Sequence, residues 1–223
     1  MPRGNGAKTR TVLLTGFEPF GGETVNAAAL AVRTFADRQI AGRRVVVEVL
    51  PVRFDEATPA LLRVLRIARP ELVICVGEAG MRAEIAVERI AINVDDARIP
   101  DNAGGQPVDR AIAKRGPAAY WSTLPIKAVV AAIAERGIPA TVSQSAGTFV
   151  CNHVFYGLMR ALRRRPGTRG GFIHVPHVPE QVSPSGSTSP SMPLERIVDA
   201  LEISIATSLA TRRDVRLTGG AMH

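Results

Sequence analysis

With 223 residues, a net charge of +8 and 46% apolar side chains, the chain can build one full hydrophobic core, which excludes disorder throughout. No apolar run reaches the length of a membrane span, and the only two cysteines, Cys75 and Cys151, exclude a disulfide scaffold and offer no pair at metal-ligand spacing. Aromatics make up only 4% and the arginines are scattered (Arg43, Arg44, Arg163, Arg164, Arg165, Arg212, Arg213), so the positive charge reads as a solvated surface rather than a nucleic-acid interface.

Residues 1–10 are basic and lack the apolar middle of a signal peptide, which predicts a loose arm on a cytoplasmic protein. Residues 11–15 (TVLLT) form an apolar run closed by Gly16, the pattern of a buried strand. The loop Gly16-Phe17-Glu18-Pro19-Phe20-Gly21-Gly22 follows. It has neither the spacing of a dinucleotide fingerprint nor the Gly-Lys-Ser/Thr of a phosphate loop. Phe17 and Phe20 either plug the core edge or wall an apolar pocket at a strand's C-terminal end. Residues 26–37 read as a helix, with Ala28, Leu30, Ala31 and Phe35 on its apolar side. Residues 44–49 (RVVVEV) are a second strand, and Asp55 is expected to cap a helix reaching about residue 67. Pro70 stops that helix, and residues 71–76 (ELVICV) form a third strand ending in Gly77. The alternation predicts an α/β fold, a mostly parallel sheet with helices on both faces.

Residues 83–94 alternate enough to suggest one extended segment. From 95 to 123 the pattern dissolves into a long ordered loop, the kind that carries function in compact domains. Residues 126–135 read as a helix, 138–142 lead into the turn at 145–153, and Val154, Leu158, Ala161 and Leu162 mark the helix leaving it. Residues 172–175 (FIHV) are a further strand, followed by Pro176-His177-Val178-Pro179. Residues 183–191 (SPSGSTSPS) are a low-complexity loop, 194–209 a closing helix, and 211 onward a tail. No repeat or linker divides the chain, so a single domain is expected over 1–223, with 1–10 and 211–223 as loose termini.

Cys151 stands at the expected first turn of a helix, where unpartnered amides carry partial positive charge and favour the nucleophilic thiolate. A thiolate nucleophile needs a base, and the base a group to orient it. Of the four histidines, His223 is terminal, and His153 is too near in sequence to face Cys151 across a helix, which leaves it a structural or capping role. His174 ends a strand, and strand C-terminal ends gather on one edge of a doubly wound sheet, where the Cys151 turn also emerges. His177 is the second choice. For the orienting carboxylate, Glu88 lies among apolar neighbours and demands a partner; Glu78, Asp95, Asp96 and Asp101 are rivals. Cys75, inside an apolar strand, is expected to be an unreactive buried hydrophobe.

Five separated motifs resemble the pyroglutamyl peptidase I family of cysteine peptidases: Gly16–Gly22, Glu88-Arg89-Ile90-Ala91-Ile92-Asn93, Ala97-Arg98-Ile99-Pro100-Asp101-Asn102, the stretch 145–153, and Gly171-Phe172-Ile173-His174-Val175-Pro176. The resemblance runs from about residue 11 to the closing helix. It implies an α/β/α sandwich, removal of N-terminal pyroglutamate from peptides through a thioester, and Cys151 as nucleophile, His174 as base and Glu88 as orienting carboxylate. It also implies that Phe17, Phe20, Ile99, Phe149 and Val150 line the pocket for the pyroglutamyl ring and that Arg98 lies by the oxyanion region. A cytoplasmic, often homotetrameric enzyme without metal or organic cofactor is implied as well. The chain departs from the family at Glu78, where glutamine is usual and where the residue is expected to contact the ring's amide, and at Met81, near a usual glycine. A carboxylate can accept the ring N–H but repels the ring's carbonyl oxygen.

Overall fold

The first apolar run forms β1 (Thr11–Phe17), buried along its whole length. A strand buried on both faces needs a layer above and a layer below, and the chain supplies them by returning repeatedly as helices. The computed structural model describes residues 10–182 and 189–220, so the low-complexity stretch falls largely outside the described residues. In chain order β1 is followed by α1 (Ala27–Arg33), β2 (Gln39–Ile40), β3 (Arg43–Leu50), α2 (Ala57–Ala68), β4 (Leu72–Glu78), β5 (Ile85–Glu88), β6 (Ile90–Ile92) and β7 (Ala119–Trp121). Then come α3 (Ile126–Glu135), β8 (Ala140–Ser143), α4 (Val150–Leu162), β9 (Arg169–Val175), α5 (Pro179–Val182) and α6 (Leu194–Ala210).

Seven strands form the main sheet in the order β2-β3-β1-β4-β9-β5-β8. β3, β1, β4 and β9 run parallel, as do β5 and β8, while β5 meets β9 antiparallel and β2 meets β3 antiparallel. One face buries apolar residues of α1, α3 and α6, the other those of α2 and α4. This is a three-layer α/β/α sandwich with a mostly parallel sheet, and it carries the C-terminal ends of β1, β4 and β9 to one edge.

Several elements differ from the sequence expectations. Asp55 does not cap α2. The boundary residue is Glu56, which makes no side-chain cap bond, because the chain enters the helix through a turn in which Ala57 N–H donates to Arg53 O at 2.9 Å. The extended segment 83–94 is two strands in two sheets. At Arg89 the backbone N–H donates to Ser143 O and the carbonyl accepts from Ser122 N–H, both at 2.9 Å, which hands the chain from the main sheet to the β6–β7 ribbon. β7 lies inside the stretch expected to be a loop.

The described part of the C-terminal tail is fastened, not loose. The Asp214 carboxylate accepts from Lys127 N–H at 3.0 Å and Ala128 N–H at 2.9 Å. It thereby caps α3, whose own boundary residue is Pro125 and offers no side-chain cap. Farther along, Gly219 O accepts from Arg89 Nη2 at 2.6 Å. Replacing Asp214 with Ala should lower unfolding stability in urea by about 1 kcal/mol, the usual loss for a helix N-terminal cap. Asp214→Asn should recover most of it, and equal losses in both variants would refute the capping assignment.

Candidate active site

Cys151 occupies the second position of α4. The boundary residue Phe149 is extended (φ −92°, ψ −165°) and gives the helix no side-chain cap. The first backbone bond of the helix runs from His153 N–H to Phe149 O at 3.1 Å. The N–H groups of Val150, Cys151 and Asn152 are therefore left without helix partners, the usual condition of an uncapped helix start. Gly147, at φ 77°, supplies the left-handed turn that brings the chain out of β8.

Two side chains fix this first turn. Asn152 is fully buried, accepts Ile92 N–H at 3.0 Å, and donates to the carbonyls of Ile92 and Val94. His153 Nδ1 lies 3.0 and 3.1 Å from the two oxygens of buried Asp95, which Arg110 also meets at 3.2 Å. Cys151, just before them, points at the sheet. Its Sγ rests over Gly77 of β4, so closely that a Cβ on that glycine would stand 2.8 Å away. Gly77 is paired in register with His174 of β9. Side chains paired across parallel strands share a face, so thiol and imidazole stand side by side at one level of the sheet.

His174 Nδ1 donates to Glu88 Oε1 at 2.8 Å. The register explains the meeting: β5 passes β9 antiparallel with Val87 opposite Ile173, so Glu88 comes diagonal to His174 on the same face. Glu88 is fully buried, and its Oε2 has no hydrogen-bond partner among the described residues. A carboxylate only accepts, so the ring proton belongs on Nδ1 and Nε2 keeps its lone pair.

The rival carboxylates have other employment. Asp95 holds His153 and Arg110. Asp96 is exposed and is bonded to Thr148 through its backbone rather than its carboxylate. Asp101 accepts from the N–H groups of Phe54, Ala103 and Gly105. Glu78 points to the opposite face of β4 from Gly77. There its Oε2 accepts from Ala27 N–H at the start of α1 (2.6 Å) and from Gln181 Nε2 (2.9 Å), and its Oε1 lies 3.2 Å from His177 Nε2.

The thiol is not acidified. Burial pushes Cys151 up to about 12, with Glu88, Glu78 and Cys75 adding to the rise and only its own backbone N–H opposing it. The helix start was the reason to expect the reverse; desolvation and two carboxylates outweigh it. These surroundings favour the protonated thiol over the thiolate. Cys75 is fully buried and also pushed up to about 12, first by burial.

Of the apolar residues singled out from sequence, Phe17, Phe20, Phe149 and Val150 belong to the same apolar cluster as Cys151. Phe20 and Phe149 rings are 5.9 Å apart, and Phe54 meets Phe149 edge-on at 5.4 Å. Phe17 is buried and packs on Phe172 at 6.1 Å, whose ring in turn lies 4.8 Å from His174. The two readings of the first loop thus divide: Phe17 plugs the core and Phe20 is half-buried beside Phe149. Val150 is buried, and Ile99 is part-exposed beside Gly21. Arg98 is exposed, its carbonyl accepting from Gln106 Nε2. Phe54 is the member that sequence reasoning missed, since nothing local marks it; it is placed from afar by Asp101. A cleft of about 680 Å³ between α2 and α4 shares Phe54 and His153 with this neighbourhood, but Cys151 does not line it.

Asp101 thus ties the 98–105 loop to Phe54. Burial alone would raise its carboxyl, but the N–H groups of Phe54, Ala103 and Gly105, with Arg53 nearby, bring it below the ordinary value. A depressed carboxyl stabilises the fold above its unfolded pKa of about 4 and loses that contribution as pH falls through the folded value. Asp101→Asn should therefore unfold in less urea than the wild type near neutral pH, and the gap should close below about pH 3. A gap that stays constant with pH would contradict the assignment.

A family model for pyroglutamyl peptidase matches residues 10–211. The pyrrolidone-carboxylate peptidase of Erwinia tasmaniensis is 54% identical over 214 residues, covering 96% of this chain and all of that one. That of Cupriavidus taiwanensis is 55% identical over 215 residues, covering 96% of this chain and 99% of its own. Among solved structures, Bacillus amyloliquefaciens pyroglutamyl peptidase I superposes with a TM-score of 0.89 at 48% identity, over 92% of this chain and all of that one. The pyrrolidone carboxyl peptidase of Thermococcus litoralis does so at 0.91 and 41% identity, over 94% of this chain and all of its own.

Proposed function

The chain belongs to the pyroglutamyl peptidase family and is a cysteine-type hydrolase that removes N-terminal pyroglutamate; we propose that Cys151, His174 and Glu88 carry the reaction. The observation that supports this most directly is the line from the buried Glu88 through His174 to the strand position over which Cys151 Sγ rests.

The chemistry follows from the geometry. Pyroglutamate is a neutral five-membered lactam without a free amine, so an apolar slot with a few polar contacts suits it better than a carboxylate clamp. Phe20, Ile99 and Phe149 wall that slot in this reading, backed by the buried Phe17 and Val150, with Glu78 behind it at the strand end and Arg98 by the oxyanion region. With its pKa pushed up to about 12, the thiol is activated only when a base removes its proton as the sulfur attacks. His174 Nε2 accepts that proton, and Glu88 stabilises the imidazolium through Nδ1–H. The sulfur adds to the carbonyl that joins pyroglutamate to the next residue. The unpartnered N–H groups at the start of α4 hold the oxyanion, each such donor being typically worth about 3 kcal/mol. The imidazolium protonates the departing amine, leaving a pyroglutamyl thioester, and water, deprotonated by His174, hydrolyses it. No step calls for a metal or organic cofactor. The same reading takes the protein as a cytoplasmic homotetramer acting on peptides; no described helix is long and apolar enough to cross a membrane.

Release of a fluorophore from a pyroglutamyl amide tests the scheme. Cys151→Ala should abolish release, whereas Cys75→Ala should retain it. Glu88→Gln should lower kcat by about 10²–10⁴-fold, as loss of an orienting carboxylate does in comparable triads. Release that survives in the Cys151→Ala variant would end the proposal.

A further inference from the structure

Residues beyond the family match reach the neighbourhood of the site from behind. The match ends at residue 211, and the described tail continues to residue 220. Asp214 ties that tail to the start of α3. Farther on, the Gly219 carbonyl accepts from Arg89 Nη2 at 2.6 Å and from Gln144 Nε2 at 3.4 Å, while Arg89 Nε donates to Gln144 Oε1 at 2.8 Å. These bonds close a ring among the tail, the residue after β5 and the residue after β8. A Cβ on Gly219 would stand 3.4 Å from Val142 of β8 and 3.6 Å from Lys127 of α3. Val142 packs on the apolar cluster that holds α3 and α6, so the tail lies on the face of the sheet opposite α4 and Cys151.

The ring closes where the sheet is least secured. β8 is an edge strand, and its neighbour β5 joins the rest of the sheet through only two residue pairs with β9, Ala86–His174 and Val87–Ile173. A strand at a sheet edge has no second neighbour and is usually covered from outside. β5 ends on Glu88, and Arg89 follows at once. The Arg89 backbone fixes the exit from β5 through its bonds to Ser143 O and from Ser122 N–H. Its side chain adds the bonds to Gln144 and Gly219. A guanidinium is planar and offers its donors in set directions, so two acceptors held at once fix its orientation. The residue next to the buried carboxylate is therefore held by backbone on one side and by the tail on the other.

We propose that residues 212–220 form a strap, with Arg89, Gln144 and the Gly219 carbonyl as its clasp, and that the clasp positions Glu88 against His174 from the back of the sheet. The strap touches no reacting atom. It keeps the end of β5 at a fixed place against β8, and a displacement of about 1 Å in such a support can cost roughly 10²-fold in rate. This deepens the peptidase reading and rests on Glu88 being its orienting carboxylate. Two anchors make the strap: Asp214 fixes its near end to α3, and Gly219 its far end to Arg89 and Gln144.

Two variants separate a positioning strap from a merely structural tail. A chain ending at Arg216 keeps the Asp214 cap and the whole family match but loses the Gly219 carbonyl. Arg89→Met, in the full chain, keeps the tail and an apolar stem but loses the clasp. Both should release fluorophore from a pyroglutamyl amide with kcat lowered about tenfold and KM within about twofold of the parent, because the ring slot is built on other elements. In a Glu88→Gln background the same changes should cost less than about twofold, since the group they position is already gone. Backbone hydrogen exchange over residues 86–93 should quicken in both variants, a readout that needs no cleavage. Unchanged kcat in either variant would overturn the proposal, as would an undiminished loss in the Glu88→Gln background. Arg89→Met decides the matter in the same way if the shortened chain fails to fold. A parent that cleaves no pyroglutamyl amide would instead sink the peptidase reading, and exchange alone would then judge the strap: quickened in both variants it stands, unchanged it falls.

Discussion

Glu88 is a fully buried carboxylate whose side chain makes, among the described residues, a single hydrogen bond, to His174. A buried charge with so little compensation is expensive to hold, and it becomes tolerable when its one partner can become a cation. Much of the architecture can be understood as keeping that partner in place. β5 runs against β9 and so brings the carboxylate diagonal to the ring, an antiparallel pairing inside a mostly parallel sheet. Immediately after Glu88 the chain must leave the sheet, and Arg89 makes the turn with its backbone bonded to β8 on one side and Ser122 on the other.

The thiol obeys the opposite constraint. Desolvation and two carboxylates favour its protonated form, so in the proposed mechanism reactivity is not stored in the resting sulfur but arises as its proton moves to an imidazole already paired with Glu88. A resting thiol is also less exposed to oxidation than a resting thiolate. The arrangement needs the sulfur to lie almost on the backbone of β4, which only a residue without a Cβ permits, and Gly77 provides it. Asn152 and His153 then hold the first turn of α4 from both sides.

Elements whose periodicity is local were legible in the sequence. The apolar runs of β1, β3, β4 and β9 and the stripe of α3 appear where hydrophobic spacing puts them, and the strand-end rule alone brought Cys151 and His174 to one edge. What was not legible depends on distant partners. β7 is three residues long and exists because β6 is beside it. The α3 cap comes from Asp214, far along the chain. Phe54 joins the pocket because Asp101 holds its backbone. The carboxylates Glu78, Asp95, Asp96, Asp101 and Glu88 could not be ranked by spacing, since what separates them is which donors the fold brings to each. The thiol's acidity was misjudged for the same reason: helix position is visible in sequence, whereas enclosure and the neighbouring charges are not.

The start of α4 shows a bargain that proteins often strike between robustness and use. A serine or aspartate at the Phe149 position would satisfy the free amides and secure the helix by about 1 kcal/mol. In the proposed mechanism such a side chain would also occupy the position of the reacting carbonyl oxygen. If those amides hold the oxyanion as proposed, an improvement that any stability screen would reward is one that selection for turnover would remove.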